Sequence, residues 1–557
     1  MYQPHTKNMK KNPGVSMGVL LIALLTTTAF ADNYPKNPKI DVTNYSFKIN
    51  LSDTSDEILC AVTIDIHYLG EGVEFLRLDL INATPELQGK GMRLSSVSSE
   101  GNALPYTHVN DEINIKLSSP SRADQRSKYT IVYKGIPASG LQIANNKYGE
   151  RTFFSDNWPN KARHWLATID HPYDKATSEF LVTAPNHYQV VSNGLQIEKS
   201  DLSDGMRLTH WKQSVPIAPW LYVLGVARFA FQQVDTFDKK SIETWVYHQD
   251  RDAGFDDFAE PTKQVLEFYS DRVGPYAYER LANIQSNSVS GGMEAASAIL
   301  YSESSVTGTR SLRWRNVIIH EIAHQWFGNS ITEYDWDDVW LSEGFATYFT
   351  LLFIEHAYGR DEFLKGLEAS KKTVNTFYGK NPGYTIIHNN LKDMKDVTSV
   401  QTYQKGSWVL HMLRGVIGTD NFWSGIRSYY KKYYNLNATT DDFRREMEEA
   451  SGKDLSEFFQ QWLYKPGTLK YTGHWQYEGK EKQVRITLVQ TQKDASIFKM
   501  PLELGLYFNG QSQPTMERVE ATEKSNVFTI KVGAEPVNIV LDPNNWVLME
   551  AEFQKKK

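Results

Sequence analysis

Residues 320–329 of this 557-residue chain read HEIAHQWFGN. The spacing places His320 and His324 four residues apart, on one face of a helix, so both imidazoles can bind one ion. Glu321 would project beside them toward a bound water. Gly328 is expected to end this helix as a C-terminal glycine. The segment therefore predicts a zinc site built on a helix.

A third ligand is predicted from residues 340–349, which read WLSEGFATYF. Glu343 follows His324 by nineteen positions and lies on a second predicted helix. Two imidazoles and one carboxylate form a catalytic zinc site that leaves one position open for water. A single ion per chain would lower the pKa of that water toward ~7, and Glu321 could take its proton during attack on a carbonyl. This pattern predicts hydrolysis.

Composition sets limits on the class of protein. With 41% hydrophobic and 13% aromatic residues, the chain can bury large cores, and its length indicates two to four domains. The net charge of −6, without a long run of lysine or arginine, argues against a nucleic-acid partner. Because Cys60 is the only cysteine, an intramolecular disulfide is excluded, and a buried, inert thiol is expected.

Residues 1–31 are typical of a secretory signal peptide. Three lysines precede an apolar stretch at about 17–25, which is followed by the sequence Ala29-Phe30-Ala31. The apolar stretch is too short to span a bilayer, so we expect no stable membrane span after cleavage. The protein is predicted to be exported, and a periplasmic or a secreted location fits equally well.

The pattern of the mature chain changes twice, which predicts an α+β protein in three blocks. Residues 32–235 contain short runs that indicate mostly antiparallel strands. Residues 236–465 are mainly helical, and residues 466–557 return to strands, which predicts a small C-terminal β-sandwich. The helices expected in the middle block include 310–327, 341–358, 402–417 and 441–450.

Three landmarks occur in order along the chain. They are the segment Gly291-Gly292-Met293-Glu294-Ala295, the zinc motif with Glu343, and the segment Tyr403-Gln404-Lys405-Gly406. Together they make the sequence resemble the gluzincin zinc aminopeptidases, which include aminopeptidase N and the leukotriene epoxide hydrolase. The resemblance implies an antiparallel β saddle domain, a thermolysin-like catalytic domain and a short bacterial-type form without the helical C-terminal domain of long members.

The resemblance also implies roles for individual residues. Glu294 would bind the free α-amino group of a peptide, and its neighbours Gly291, Gly292, Met293 and Ala295 would lie along the substrate. Pairing of a carboxylate with an ammonium fixes the distance from the N-terminus to the zinc, so the first peptide bond is presented. Tyr403 would donate a hydrogen bond to the developing oxyanion. The implied activity is that of an aminopeptidase, with zinc as cofactor and peptides with free N-termini as substrates.

The amine site departs from the family pattern at Trp158. Many relatives have a glutamate or glutamine there as a second contact to the substrate amine. Either Asp156 or Asn157 substitutes for it, or Glu294 works largely alone.

Two further departures lie near the zinc. Ala295 replaces a usual asparagine, and Thr350 replaces an acidic residue that often supports the ligands. Two alternatives stay open: a zinc endopeptidase, if Trp158 and Ala295 weaken the amine anchor and with it the selectivity for the N-terminus, and a non-catalytic peptide-binding protein that keeps the fold. The sequence also leaves open whether the site is closed by a second subunit in a homo-oligomer.

Overall fold

The computed structural model describes residues 32–388, 391, 393–493 and 496–556. The predicted signal peptide at residues 1–31 lies outside the described residues. Among the helices that are described, none combines the length and the apolar character needed to cross a membrane.

The N-terminal region consists of strands joined by loops and short turns. In chain order they are β1 (Ile40–Asn50), β2 (Ile58–Tyr68), β3 (Phe75–Asp79), β4 (Gly91–Ser99), β5 (Asn102–Ala103), β6 (Tyr106–Val109), β7 (Glu112–Lys116), β8 (Gln125–Ile136), β9 (Leu141–Asn145), β10 (Arg151–Ser155), β11 (Ala176–Pro185), β12 (Gln189–Ser192), β13 (Leu195–Asp201), β14 (Met206–Ile217) and β15 (Leu224–Ala227). They form an eight-stranded sheet in the order β13-β14-β11-β1-β2-β8-β4-β5, a four-stranded sheet β12-β15-β10-β9 and a three-stranded sheet β3-β7-β6.

The large sheet follows from the alternating pattern of its strands. In β2 every second residue is fully buried, because successive side chains of a strand point to opposite faces of the sheet. Strand β1 pairs antiparallel with β2 and parallel with β11. Cys60 in β2 is buried and free, and burial raises the pKa of its thiol to about 12, which agrees with the expected inert cysteine.

The middle region combines one mixed sheet with helices. Its strands are β16 (Phe229–Phe237), β17 (Lys240–Tyr247), β18 (Arg280–Ser286), β19 (Gly292–Met293), β20 (Ala298–Ser302), β21 (Thr332–Glu333) and β22 (Asn437–Ala438). Its helices are α1 (Arg251–Arg272), α2 (Leu312–His324), α3 (Trp340–Tyr358), α4 (Arg360–Lys380), α5 (Gly406–Ile417), α6 (Thr419–Lys432), α7 (Thr440–Ser451) and α8 (Ser456–Leu463). The five-stranded sheet has the order β16-β17-β18-β20-β19, so the short strand β19 lies at its edge.

Helix α3 runs through the interior of this region. Its residues are apolar around most of the helix, which is typical of a helix buried on all sides. Phe345 and Phe349 pack against Phe327, which follows α2, and Phe345 also contacts Phe443 of α7. This packing holds α2 and α3 side by side.

The C-terminal region contains two sheets. Its strands are β23 (Leu469–Glu478), β24 (Gln483–Gln490), β25 (Met500–Tyr507), β26 (Thr515–Ala521), β27 (Ser525–Lys531), β28 (Asn538–Leu541) and β29 (Met549–Lys555). Four of them form the sheet β27-β24-β23-β29, and three form the sheet β26-β25-β28.

The described structure is a mixed α+β fold with a β-rich N-terminal region and a helical region that follows it, as predicted. The predicted division at 235/236 falls within β16, and the domain boundaries stay predictions.

Gly328 differs from its predicted role as a helix-ending glycine. Helix α2 ends four residues earlier, at His324, and Gly328 occupies a loop with a φ of +110°. A side chain there would overlap the Ser342 hydroxyl. The position therefore needs glycine for its backbone conformation and for the close approach of α3.

Candidate metal centre and substrate cleft

Helices α2 and α3 bring the three predicted metal ligands together. The Nε2 atoms of His320 and His324 lie 3.2 Å apart. Oε2 of Glu343 lies 3.4 Å from the first and 3.3 Å from the second of these nitrogens. The three side chains can therefore offer one donor atom each to a single ion.

These distances fit zinc. In tetrahedral coordination with bonds of about 2.0–2.1 Å, neighbouring donor atoms are separated by about 3.3–3.4 Å. Two imidazole nitrogens and a carboxylate oxygen are also the donor set of many catalytic zinc sites. Glu343 Oε2 is buried and has no hydrogen-bond partner among the described residues, which leaves it available to a metal.

The second nitrogen of His324 is held from two sides. Nδ1 lies 3.1 Å from the carbonyl oxygen of Phe327 and 3.0 Å from Oγ of Ser342. A proton on Nδ1 can be donated to these oxygens, which leaves the Nε2 lone pair for a metal. Ser342 was not predicted as a site residue, because nothing in the sequence distinguishes it from other serines.

Charge is concentrated around His324. Burial disfavours its imidazolium, but the carboxylates of Glu294 and Glu343 outweigh burial and raise the pKa of His324 to about 10. Burial also disfavours the charge of Glu343, yet the two imidazoles lower its pKa to about 2. This anionic pocket favours a bound cation.

The predicted base, Glu321, is 5% exposed and lies between the metal ligands and the strand β19. A Cβ atom at Gly292 would overlap the Glu321 carboxylate, so the bare backbone of Gly292 packs directly on it. Burial and the charge of Glu294 raise the pKa of Glu321 well above its usual value.

Glu294 lies on the other side of His324, with Oε1 3.9 Å from Nε2. That oxygen is buried without a hydrogen-bond partner among the described residues. Burial raises the pKa of Glu294 to about 7. The backbone carbonyl of Glu294 accepts hydrogen bonds from Gln325 at 3.1 Å and from Asn329 at 2.6 Å, both of which follow the zinc motif.

The N-terminal region holds the loop that follows Glu294. Asn193 donates to the carbonyl oxygen of Ala296 at 2.7 Å, and the Gly194 amide donates to Ser297 Oγ at 2.8 Å. Ser297 has a φ of +62°, and its amide donates to Gln325. The segment around Glu294 is therefore fixed between the N-terminal sheet region and the metal-binding helix.

Tyr403 lies in a π-helical turn that precedes α5. Its phenol donates a hydrogen bond of 2.8 Å to Oε1 of Glu343, and its ring stacks beside His320. The predicted oxyanion donor is therefore next to the metal ligands, and in this structure its proton is used by one of them.

Asp156 and Asn157, the two residues that could provide a second contact to the substrate amine, have different surroundings in the structure. Asn157 is buried, with Nδ2 donating to the Tyr222 carbonyl and Oδ1 accepting from Trp165, so both ends of its amide are engaged inside the protein. Asp156 is partly exposed, and its charge helps to raise the pKa of Glu294. Trp158 instead packs edge-on against two other tryptophans.

A further buried acid, Glu333, was not singled out by sequence analysis. It is 1% exposed, and neither carboxylate oxygen has a hydrogen-bond partner among the described residues. Burial raises its pKa to about 8.

A cavity of about 700 Å³ opens beside the metal ligands. Catalytic candidates His320, Glu321 and Tyr403 line it, together with Gly291, Gly292 and residues of α2, α3 and α4. Thr350 also lines it, and its hydroxyl bonds to the backbone of its own helix at Ala346. The Thr350 hydroxyl proton is therefore used within α3.

Two family profiles match the chain. The Peptidase M1 N-terminal domain matches residues 43–221, and the Peptidase family M1 domain matches residues 258–462, together about two thirds of the chain.

Curated relatives are aminopeptidases. Probable aminopeptidase 1 of Sulfurisphaera tokodaii is 26% identical over 495 residues, which cover 84% of this chain and 60% of that protein. Glutamyl aminopeptidase of Homo sapiens is 29% identical over 329 residues, covering 56% of this chain and 34% of the human protein. The chain thus spans between about one third and three fifths of the length of these relatives.

Solved structures share the fold. The M1 zinc metallopeptidase from Deinococcus radiodurans superposes with a TM-score of 0.63 at 22% identity, covering 76% of this chain and 93% of that one. A mutant of that enzyme bound to a Tyr-Ser-Ala substrate gives a TM-score of 0.66.

Proposed function

Because the chain belongs to peptidase family M1, we propose that it is a zinc-dependent aminopeptidase that releases the N-terminal residue of peptides. The observation that carries this proposal is the position of Glu294. Its buried, unpartnered oxygen lies 3.9 Å from the Nε2 atom of His324, which is one of the three converging metal ligands. A carboxylate at this distance can pair with an ammonium group that lies one residue from the scissile bond.

We propose that His320, His324 and Glu343 hold one zinc ion per chain. When bound, zinc would supply Lewis acidity, lowering the pKa of water and polarising the substrate carbonyl. Ser342 and the Phe327 carbonyl would keep His324 in the orientation that exposes Nε2.

Glu321 is the proposed general base. Its carboxylate would accept a proton from the attacking water and pass it to the nitrogen of the departing peptide. The backbone of Gly292 packs against that carboxylate and restricts its movement. The proton is therefore transferred from a fixed position beside the metal ligands.

Glu294 would bind the α-ammonium group of the substrate, and Gly291, Gly292, Met293 and Ala295 would lie along the peptide. Asp156 is the proposed second contact to the ammonium, because its charge acts on Glu294 whereas Asn157 is buried and hydrogen-bonded to Tyr222 and Trp165. Tyr403 would turn its hydroxyl from Glu343 to the carbonyl oxygen as negative charge develops there.

The proposal extends to the architecture and location of the protein. We propose an N-terminal β saddle domain at 32–235, a thermolysin-like catalytic domain at 236–465 and a C-terminal β-sandwich at 466–557. Export to the periplasm or the medium would follow cleavage of a signal peptide at 1–31.

A pair of matched substrates tests the function. The purified protein is incubated with zinc and with a peptide that has either a free or an acetylated N-terminus. The proposed enzyme cleaves the first bond of the free peptide only, and Glu294→Gln lowers kcat/KM for it by about a hundredfold, as expected for loss of a charged pair. Equal cleavage of the acetylated peptide would instead identify an endopeptidase.

A further inference from the structure

The cavity beside the metal ligands accommodates the part of the substrate that follows the scissile bond. Glu294 is not among the residues that line this cavity, whereas Glu321, His320 and Tyr403 are. With the substrate ammonium at Glu294, the peptide must continue past the zinc ligands and away from that carboxylate. The departing peptide would therefore extend into the cavity that α2, α3 and α4 line.

Arg315 of α2, five residues before His320, lines this cavity and also a neighbouring cavity, whose lining includes the Tyr358 ring on which its guanidinium stacks. At a rise of about 1.5 Å per residue, the two Cα positions are separated by about 7.5 Å along the helix axis. An extended peptide covers about 3.3–3.6 Å per residue. Arg315 is thus level with a group about two residues beyond the scissile bond.

The guanidinium of Arg315 is fixed and forms no ion pair within 4 Å among the described residues, although its charge helps to lower the pKa of Glu362, which lines the same cavity. Its planar group lies 3.9 Å from the centre of the Tyr358 ring. Its nitrogens donate to the neutral amide of Asn316 at 3.2 and 3.1 Å. Stacking on an aromatic ring reduces the freedom of an arginine, and the donors that Asn316 does not use, on Nη1 and the second N–H of Nη2, can bind a carboxylate.

The other lysine or arginine that lines the cavity is already paired. Lys365 of α4 forms an ion pair of 2.7 Å with Glu362, which lines the same cavity. Both of these side chains are largely exposed, so their charges are screened by solvent. Arg315 is therefore the stronger candidate for binding an anion in this cleft.

We propose that Arg315 binds a carboxylate on the leaving side of the scissile bond, so the protein prefers peptides that carry a negative charge two residues beyond that bond. This proposal rests on the proposed aminopeptidase function. The carboxylate can come from the C-terminus of a tripeptide, or from an acidic side chain in a longer peptide.

Two pairs of substrates separate these sources. The first compares Leu-Ala-Ala with its C-terminal amide, and the second compares the amides of Leu-Ala-Asp and Leu-Ala-Asn. In the wild-type protein kcat/KM should be about tenfold higher or more for the charged member of at least one pair. The pair that shows the preference identifies the source of the carboxylate.

Substitutions then assign the preference to Arg315. Arg315→Gln should bring the charged-to-neutral ratio close to one, and Arg315→Lys should give an intermediate ratio, because lysine keeps the charge but loses the planar pair of donors. Each ratio is taken within one variant, so a general effect on folding or turnover cancels. The control is Arg313→Gln, an exposed arginine of the same helix that stacks on Trp314 and does not line the cavity.

A ratio of one for both pairs in the wild-type protein would overturn the proposal, as would an unchanged preference in Arg315→Gln. A different result is expected if the protein is not an aminopeptidase at all. In that case the wild-type protein does not hydrolyse leucine nitroanilide either, which has a free amine and no carboxylate.

Discussion

Ser342 contacts Nδ1 of His324 through its hydroxyl oxygen at 3.0 Å. Ser342 is also the residue directly before the ligand Glu343. One turn of α3 therefore carries one of the three proposed metal ligands and contacts another, which couples the positions of α2 and α3 at the proposed metal site.

The first prediction concerns this contact. Ser342→Ala should weaken zinc binding by about tenfold, at the lower end of the usual effect of an orienting partner, because the Phe327 carbonyl still accepts from Nδ1. The affinity is measured by titration against a competing chelator. Ser178→Ala, which removes a buried hydroxyl without a partner in the N-terminal sheet, should leave the affinity unchanged. Equal affinities for wild type and Ser342→Ala would show that the contact does not orient His324.

The second prediction separates metal binding from proton transfer. Glu321→Gln should retain about one zinc per chain, because Glu321 is not one of the three converging ligands, and should lower kcat by about a hundredfold or more. Zinc content is measured by mass spectrometry on the same sample that is assayed. Glu368→Gln, on the exposed surface of α4, is the matched control. A variant at Glu321 with normal turnover would remove this residue from the mechanism.

The third prediction concerns the link between the N-terminal region and the substrate loop. Asn193 is buried, donates to Leu221 and Ala296, and accepts from the amide of Val223. Asn193→Ala should lower the free energy of unfolding by about 2–4 kcal/mol, because it leaves buried backbone groups without partners.

Urea denaturation measures this loss, and kinetics show whether the loop moves. KM for a free-amine substrate should rise, since the bond to Ala296 positions the segment after Glu294. The exposed Asn102→Ala should change stability by less than about 0.5 kcal/mol. If Asn193→Ala is less stable than the wild type but has an unaltered KM, the hydrogen bond from Asn193 to the loop after Glu294 does not contribute to substrate binding.

The fourth prediction concerns acid stability and His411. This buried imidazole contacts the Tyr348 hydroxyl and the Asn545 carbonyl, and burial lowers its pKa to about 3. The unfolded chain, with a pKa near 6.5, takes up a proton that the folded protein excludes. The stability that His411 provides is therefore present above pH 6.5 and is lost as the pH falls toward 3.

Comparison with His411→Gln isolates this effect. Between pH 6.5 and 5 the free energy of unfolding of the wild type should fall by about 2 kcal/mol more than that of the variant, at about 1.4 kcal/mol per pH unit. Denaturant titrations at several pH values provide the measurement. Parallel pH curves for the two proteins would contradict the prediction.

Sequence analysis predicted the metal ligands because the information is local. Two histidines four residues apart on an apolar segment define one helical face, and Glu343 lies in the first turn of the next helix. The α+β class was also predicted, since strand and helix periods are properties of short windows.

Contacts between distant segments were not predicted. The bond from Asn193 to Ala296 joins residues 103 positions apart, and neither residue carries a periodic signal that points to the other. The same holds for Ser342 and His324. Gly328 was assigned to the helix end because glycine is common there, whereas the close approach of α3 is what requires it.

The central claim is that one zinc ion is bound by His320, His324 and Glu343. Anomalous X-ray scattering at the zinc edge from crystals of the zinc-loaded protein tests it most directly. We expect one strong peak within bonding distance of the two Nε2 atoms and of a Glu343 carboxylate oxygen. A peak bound to other residues, or none in zinc-saturated crystals, would contradict the claim.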